Sequence, residues 1–368
     1  MNPSRGSMKA QPEAVRLLVR AARPRTTPDV REALLRAVAR HTAGELAELA
    51  GGLGIAPLVH AHLGCDVDLA RGELSNLLKS GRKAAFASSV LLGETYQTIA
   101  EVCASESIPL VPLKGIDFAH RLYSSPEVRT MCDIDVLVPE ADYARARALF
   151  AEVDGFEELL FPHGVGEWEQ SAKDAQFVFH ISGHAIHVEL HRRFGQRYHI
   201  NVDYDALWRR VICADGGNQG LLSSEDTLLF TAYHLERSLF PTRLLWLVDL
   251  LGITSQLEID WQVVVRRAGH WACRVGLWHA LMRVEGTFEE RVCPRWVLEA
   301  LAPGRLQANY LRTIVPPDAL VTSLDGTSVR LTQLLFWFPL MDGWSVWRRF
   351  VGAYGVMRFR DVMSKWSC

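Results

Sequence analysis

Asp133-Ile134-Asp135-Val136-Leu137-Val138 decides how this chain is read. Polar and apolar residues alternate through its first half, which predicts a strand whose two carboxylates project from one face while Ile134 and Val136 project from the other. Two like charges that close repel each other, and burying them beside apolar neighbours is costly unless something compensates. A hard divalent cation with oxygen ligands, Mg²⁺ or Mn²⁺, is the simplest compensation. A solvated carboxylate pair on an edge strand is the plain alternative, so the flanking sequence has to choose between them.

Upstream, the apolar stretch Ile108 to Leu113 ends in Lys114-Gly115 and runs into a helix-like segment, Ile116 to Tyr123. The first backbone N–H groups and the positive end of such a helix favour phosphate. Gly115 lets backbone approach closely, and Lys114 adds a point charge. Downstream, Pro139 to Asp142 opens a helix through about Val153. The segments Phe156–Phe161, Ala175–Ile181 and Ala185–His191 read as further strands, the last two joined by a tight turn at Ser182-Gly183-His184. On the last strand His187, Glu189 and His191 share a face. If that strand lies beside the first, Glu189 completes a three-carboxylate site for two ions, Asp133 and Asp135 holding the nucleotide's ion and Asp135 and Glu189 the nucleophile's. A zinc site built on His187, Glu189 and His191 is the rival reading.

The rest of the chain reads as helix. Pro28–Gly51, Ile55–Leu63 and Gly72–Cys103 precede the strands, and Ser224–Ser238, Leu244–Thr254, Asp260–Val284 and Glu289–Leu301 follow them. This predicts an α+β protein with a mixed-sheet core at residues 86–205, an N-terminal helical region at 1–85 and a C-terminal helical lobe at 206–368. With 49% hydrophobic and 22% charged residues, the composition is that of a folded globular chain. A net charge of −2 gives no global reason to bind long nucleic acid or an anionic surface. The seven cysteines contain no C-x-x-C pair, which argues against a zinc cage and for reduced thiols in a cytoplasmic setting. The apolar run Leu334–Met341 contains Pro339 and is far shorter than the roughly 20 residues of a spanning helix, so no membrane span is expected. The N-terminal residues Met1 to Ala10 lead into no apolar stretch that a signal peptide needs. Aromatic residues and arginines gather in Leu331–Cys368, which reads as packing of a terminal helical lobe rather than a basic binding helix.

The stretch from Leu113 to Val138 resembles the bacterial uncharacterised nucleotidyltransferase family of the polymerase-beta-like superfamily. The shared pattern is a Lys-Gly, a short helix ending in Tyr, then Arg shortly before D-x-D followed by two apolar residues and Val. Lys114, Gly115, Tyr123, Arg129, Asp133 and Asp135 match it position by position, and His187 to His191 is similar to the family's later strand. The similarity extends over about residues 40–270, taking in Glu45–Leu58, Ser224–His234 and Arg243–Leu250. It implies metal-dependent transfer of a nucleotidyl group from a nucleoside triphosphate, with ATP the expected donor, to an unidentified small molecule, peptide or protein. Asp133, Asp135 and Glu189 are then the catalytic metal ligands, and Lys114, Gly115 and Arg129 the nucleotide-binding residues. The wider superfamily opens its site with Gly-Ser or Gly-Gly and a shorter gap, where this chain has Lys114-Gly115-Ile116.

Two other functions fit the same residues: a kinase-like phosphotransferase working on the γ-phosphate, and a non-catalytic nucleotide-binding or scaffold protein. Arg129 fits either a phosphate contact or an ion pair with a carboxylate. His234 and Asp249 fit either an acceptor pocket or a hydrogen bond between two helices. His163, Trp168 and Glu169 fall in a polar loop where acceptor specificity could reside.

Overall fold

A computed structural model describes residues 12–159, 174–195, 200–213, 218–237 and 244–314, with Leu340, Asp342 and Arg348. His163, Trp168, Glu169, the end of the segment Phe156–Phe161 and nearly all of the aromatic stretch 331–368 lie outside these residues.

Six helices come first: α1 (Glu13–Ala21), α2 (Pro28–Arg40), α3 (Ala43–Gly52), α4 (Ala56–Leu63), α5 (Val67–Arg71) and the 33-residue α6 (Glu73–Ser105). The helix expected over Pro28–Gly51 is two helices, because Thr42 starts a new one by accepting a hydrogen bond from the Glu45 N–H at 3.2 Å. Thr27 caps α2 in the same way, with Pro28 in its first turn. Helix α1 was not anticipated, yet Ala14, Leu18, Val19 and Ala21 are wholly buried along it.

The sheet follows, with β1 (Val111–Leu113), α7 (Gly115–Arg121), β2 (Asp133–Leu137), α8 (Tyr143–Glu152), β3 (Phe156–Glu158), β4 (Ala175–Ile181) and β5 (His184–His191). Its strand order is β1-β2-β5-β4-β3. Only the central β2–β5 pair is parallel, which makes the sheet mixed. Ser182 and Gly183, at φ 50° and 77°, form a two-residue turn between β4 and β5, and His184, expected in that turn, opens β5 instead. One face of the sheet is apolar: Ile134, Val136, Phe177, Val188 and Leu190 pack against Leu92 and Ile99 of α6 and Ala146 and Phe150 of α8. The period of two therefore directs Asp133, Asp135, His187, Glu189 and His191 to the opposite face.

The remaining elements are α9 (Tyr204–Trp208), a two-stranded ribbon of β6 (Ile212–Cys213) and β7 (Gly220–Leu221), and helices α10 (Ser224–Arg237), α11 (Leu244–Gln256), α12 (Trp261–Trp271), α13 (Arg274–Phe288), α14 (Arg295–Leu301) and α15 (Arg305–Ile314). The helix expected over Asp260–Val284 breaks at Ala272, whose left-handed backbone (φ 57°, ψ 43°) ends α12. Asp342 then caps α13, accepting from the N–H groups of Arg274 and Val275 at 2.6 and 2.8 Å. Glu289 also turns left-handed and closes α13, so the last expected helix begins only after Pro294. Residues of α1 to α4 and of α10 to α14 share one apolar cluster, and α6 passes position 85 without a break. Among the described residues no helix is long and apolar enough to cross a membrane.

Candidate active site

Parallel pairing of β2 with β5 sets Asp135 directly opposite Glu189, Asp133 opposite His187 and Leu137 opposite His191. The carboxylate of Asp135 is buried, that of Glu189 partly buried, and Asp133 stands exposed at the start of β2. Ligand atoms of Asp135, Glu189 and His191 all lie within 4.8 Å of one another. The structure thus brings Glu189 to Asp135 across a strand pair that the sequence could propose but not prove. Asp133 joins the same face one pair further along.

Two side-chain cations already serve this cluster. Lys114 donates from Nζ to Asp135 Oδ1 at 2.8 Å. His191 Nε2 lies 2.9 Å from the same oxygen and 3.4 Å from Glu189 Oε2, while its Nδ1 lies 2.8 Å from Asp174 Oδ2. Burial alone would lower the His191 pKa, but hydrogen bonds and charge from Asp135 and Asp174 outweigh it and raise the value to about 10. In the absence of a metal ion the imidazolium form is the favoured one, a counter-charge to Asp135 and Asp174, while the same ring nitrogen lies among ligand atoms that could hold a cation. Burial opposes ionisation of Asp135, yet Lys114 and His191 hold its pKa far below the usual carboxylate range. Glu189 is shifted the other way, raised by burial and then by the charge of Asp135. The amide of Gln176 donates to Glu189 Oε1 at 3.2 Å and fixes its orientation. Asp174, Gln176 and the role of His191 were missed in the sequence. The face shared by Glu189 and His191 was the available signal, whereas nothing local pointed to Asp174.

The Lys114-Gly115 turn has a defined shape. Lys114 sits at φ 49°, ψ −116°, a conformation that side-chain-bearing residues rarely adopt, and this single residue turns β1 into α7. A Cβ on Gly115 would stand 3.0 Å from Arg129 Nη1 and 3.2 Å from Met131 Cγ, so the glycine makes room for Arg129. Arg129 in turn is locked: its Nε and Nη2 donate to Asp249 Oδ1 and Oδ2 at 2.9 and 2.6 Å. The Tyr123 hydroxyl adds a third bond to Asp249 Oδ1 at 2.7 Å. Of the two roles open to Arg129, the structure shows the ion pair, and it runs across 120 residues of sequence to α11. Instead of the hydrogen bond to His234 that was open to it, Asp249 is held by Arg129 and Tyr123 from the connection between α7 and β2, while the His234 ring packs against Trp246 and Phe230 at 5.2 and 6.3 Å.

The carboxylate pair on β2, its opposed glutamate on β5 and the Lys-Gly turn form the core of a stretch, residues 40–289, that matches the family described as uncharacterised nucleotidyltransferase. The chain belongs to that family. The match covers more than half of the 368 residues and reaches past the expected limit near residue 270 to the end of α13, so it includes the Arg129–Asp249 clamp as well as the sheet. No curated protein and no solved structure matches the chain. Membership assigns the general class of nucleotidyltransferase. The donor set suits a divalent cation on its own chemistry: four carboxylates, Asp133, Asp135, Asp174 and Glu189, gather around Lys114 and His191, with Arg129 also feeling Asp133. The ligand atoms these carboxylates offer are oxygens, the donors a hard divalent cation prefers.

Proposed function

We propose that this nucleotidyltransferase moves an NMP group from a nucleoside triphosphate, ATP by expectation, to an acceptor hydroxyl or amine in a reaction that needs Mg²⁺ or Mn²⁺. One observation carries this reading above the others: Glu189 lies opposite Asp135 in the β2–β5 register, on the same face as Asp133. Asp133, Asp135 and Glu189 would hold the divalent ions, which when bound would neutralise charge on the triphosphate and ease deprotonation of the nucleophile. In the transfer the acceptor oxygen or nitrogen forms a bond to the α-phosphorus, the bond from that phosphorus to the bridging oxygen breaks, and pyrophosphate leaves. Glu189 supports the nucleophile, as a ligand or as the acceptor of its proton. Lys114, next to Asp135, is placed to follow charge as it shifts to the leaving phosphates, and Gly115 allows the turn that puts it there. Arg129 acts indirectly, by fixing that turn from behind. The remaining catalysis is positioning and preorganised charge.

The acceptor is a small molecule, a peptide or a protein side chain, since neither the net charge nor any feature of this face among the described residues calls for a long nucleic acid. The test is to incubate the purified chain with cell extract, Mg²⁺ and ATP labelled at either the α- or the γ-phosphate. The expected outcome is α-label on the acceptor with release of pyrophosphate, abolished in Asp135→Asn. Transfer of the γ-label instead would assign a kinase-like reaction, and transfer of neither, with no metal-dependent nucleotide binding by calorimetry, would assign a scaffold.

A further inference from the structure

One oxygen of the site, Asp135 Oδ1, faces two side-chain cations, Lys114 Nζ at 2.8 Å and His191 Nε2 at 2.9 Å. The two are held differently. The His191 ring is wedged, with Asp174 Oδ2 2.8 Å from its other nitrogen, so it cannot leave one carboxylate without disturbing the second. Lys114 is tethered only through its backbone. That backbone is fixed, because the turn at φ 49° is backed by Arg129 and its fork to Asp249. The side chain above it is a flexible four-carbon stem. It is 21% exposed where that of Asp135 is 3% exposed, so the ammonium has a path towards solvent that the carboxylate lacks. Burial works against the charge of this ammonium, and Asp135, Glu189 and Asp133 sustain it. These are the three carboxylates assigned above to the divalent ions. Ammonium and metal ion thus depend on the same ligands, and two positive charges repel each other in so confined a space.

We propose that Lys114 is a displaceable internal counter-cation, which holds the ion site against a free divalent metal and yields it to a metal carried by a triphosphate. The proposal rests on the metal–triphosphate reading of this face given above. A free ion offers the displaced ammonium no anion in exchange for Asp135. A metal–triphosphate complex brings phosphate oxygens, which accept charge-assisted hydrogen bonds from an ammonium as a carboxylate does. Lys114 then passes from Asp135 to the phosphates, and the ion takes up the carboxylate that it releases. Lys114 remains charged throughout, so the exchange moves an ion pair and not a proton. Metal and triphosphate consequently bind with positive coupling, each raising the affinity for the other by the same factor. His191 stays in place and keeps part of the counter-charge, which makes Lys114 the moving part. The reactive arrangement is assembled only when the donor is present.

The test titrates Mn²⁺ alone into the full chain, without nucleotide, and reads free Mn²⁺ by electron paramagnetic resonance. Parent protein is compared with Lys114→Met, which removes the charge and keeps an unbranched stem, and with Lys114→Arg, which keeps the charge. Lys114→Met is expected to bind Mn²⁺ more tightly than the parent, by about tenfold or more, and Lys114→Arg as weakly as the parent. Mn²⁺ alone should also raise the Tm of Lys114→Met more than that of the parent, a reading that survives if the unloaded variant is less stable. The Mn²⁺ complex of α,β-methylene-ATP, which cannot release pyrophosphate, is expected to bind the parent more tightly than Mn²⁺ alone does, by about tenfold or more, with that advantage reduced in Lys114→Met. Equal Mn²⁺ affinity in the parent and Lys114→Met would overturn the proposal. So would tight binding by Lys114→Arg, because loosened packing rather than lost charge would then have opened the site. None of these readouts passes through catalysis, so failure here with α-label transfer intact removes the gate and leaves the proposed reaction standing.

Discussion

Two buried charge clusters sit on either side of the Lys114-Gly115 turn, and they are built on opposite principles. Around Asp249 one guanidinium meets one carboxylate fork to fork, and Tyr123 adds a second bond to Oδ1. Around Asp135 carboxylates outnumber cations among the described residues, because Asp133, Asp174 and Glu189 crowd Lys114 and His191 with it, and only Asp133 also reaches the charge of Arg129. A balanced cluster is complete as it stands and holds structure together. An unbalanced one keeps residual field and has ligand atoms to offer. The contrast separates residues that position the site from residues that act in it, although Arg129 and Asp133 are only four positions apart in sequence.

Removing Arg129 should give the largest effect. Arg129→Ala leaves Asp249 buried with one neutral donor, and breaking a buried pair in this way costs about 3–5 kcal/mol. Urea denaturation at neutral pH measures it. Because Arg129 is 6% exposed and its fork is filled, the folded fraction of the variant should keep the parent's KM for the triphosphate. A loss below about 1 kcal/mol together with a raised KM would move Arg129 to the nucleotide and erase the contrast between the two clusters.

Glu189→Gln probes the unbalanced side. On the proposed role of Glu189 beside the nucleophile, turnover is expected to fall by about two powers of ten or more, with nucleotide binding nearly intact. Stability should hold or rise. Burial and Asp135 already disfavour the charge on Glu189, and the amide keeps a partner in Gln176. Unchanged turnover would remove Glu189 from the mechanism and leave the surplus charge without a chemical role.

The sequence showed the parts of this contrast unevenly. D-x-D at the start of an alternating strand, and Glu189 on the alternating face of another, were legible because the period of two is local. The hairpin turn was legible for the same reason, since Ser182-Gly183 takes two positive φ values. What joined the two strands was not legible. Parallel pairing of β2 with β5 is a contact between segments separated by α8, β3 and β4, and no local pattern encodes it. The Arg129–Asp249 fork was hidden likewise, and so was the break at Ala272, where the 3.6-residue period continues across a left-handed residue. Lys114 looked like a phosphate ligand by position, and only coordinates show its ammonium on Asp135.

The smallest expected effect, and the finest test of the imbalance, is the response of the metal-free protein to alkali. His191 has a folded pKa of about 10 against an unfolded value of 6.5. A raised folded pKa means that the native state holds this proton more tightly than the unfolded chain does. The stabilisation is therefore fully present below pH 6.5 and is lost as pH rises through about 10. Between pH 7 and 10 the parent should lose more stability than His191→Gln, by on the order of 1–2 kcal/mol once the sharing of Asp135 with Lys114 is allowed for. Thermal denaturation at the two pH values measures this difference. Parallel curves for parent and variant would mean that His191 is neutral in the folded state. Its nitrogen would then have a lone pair to offer a metal without first losing a proton, which would favour the zinc reading of this strand.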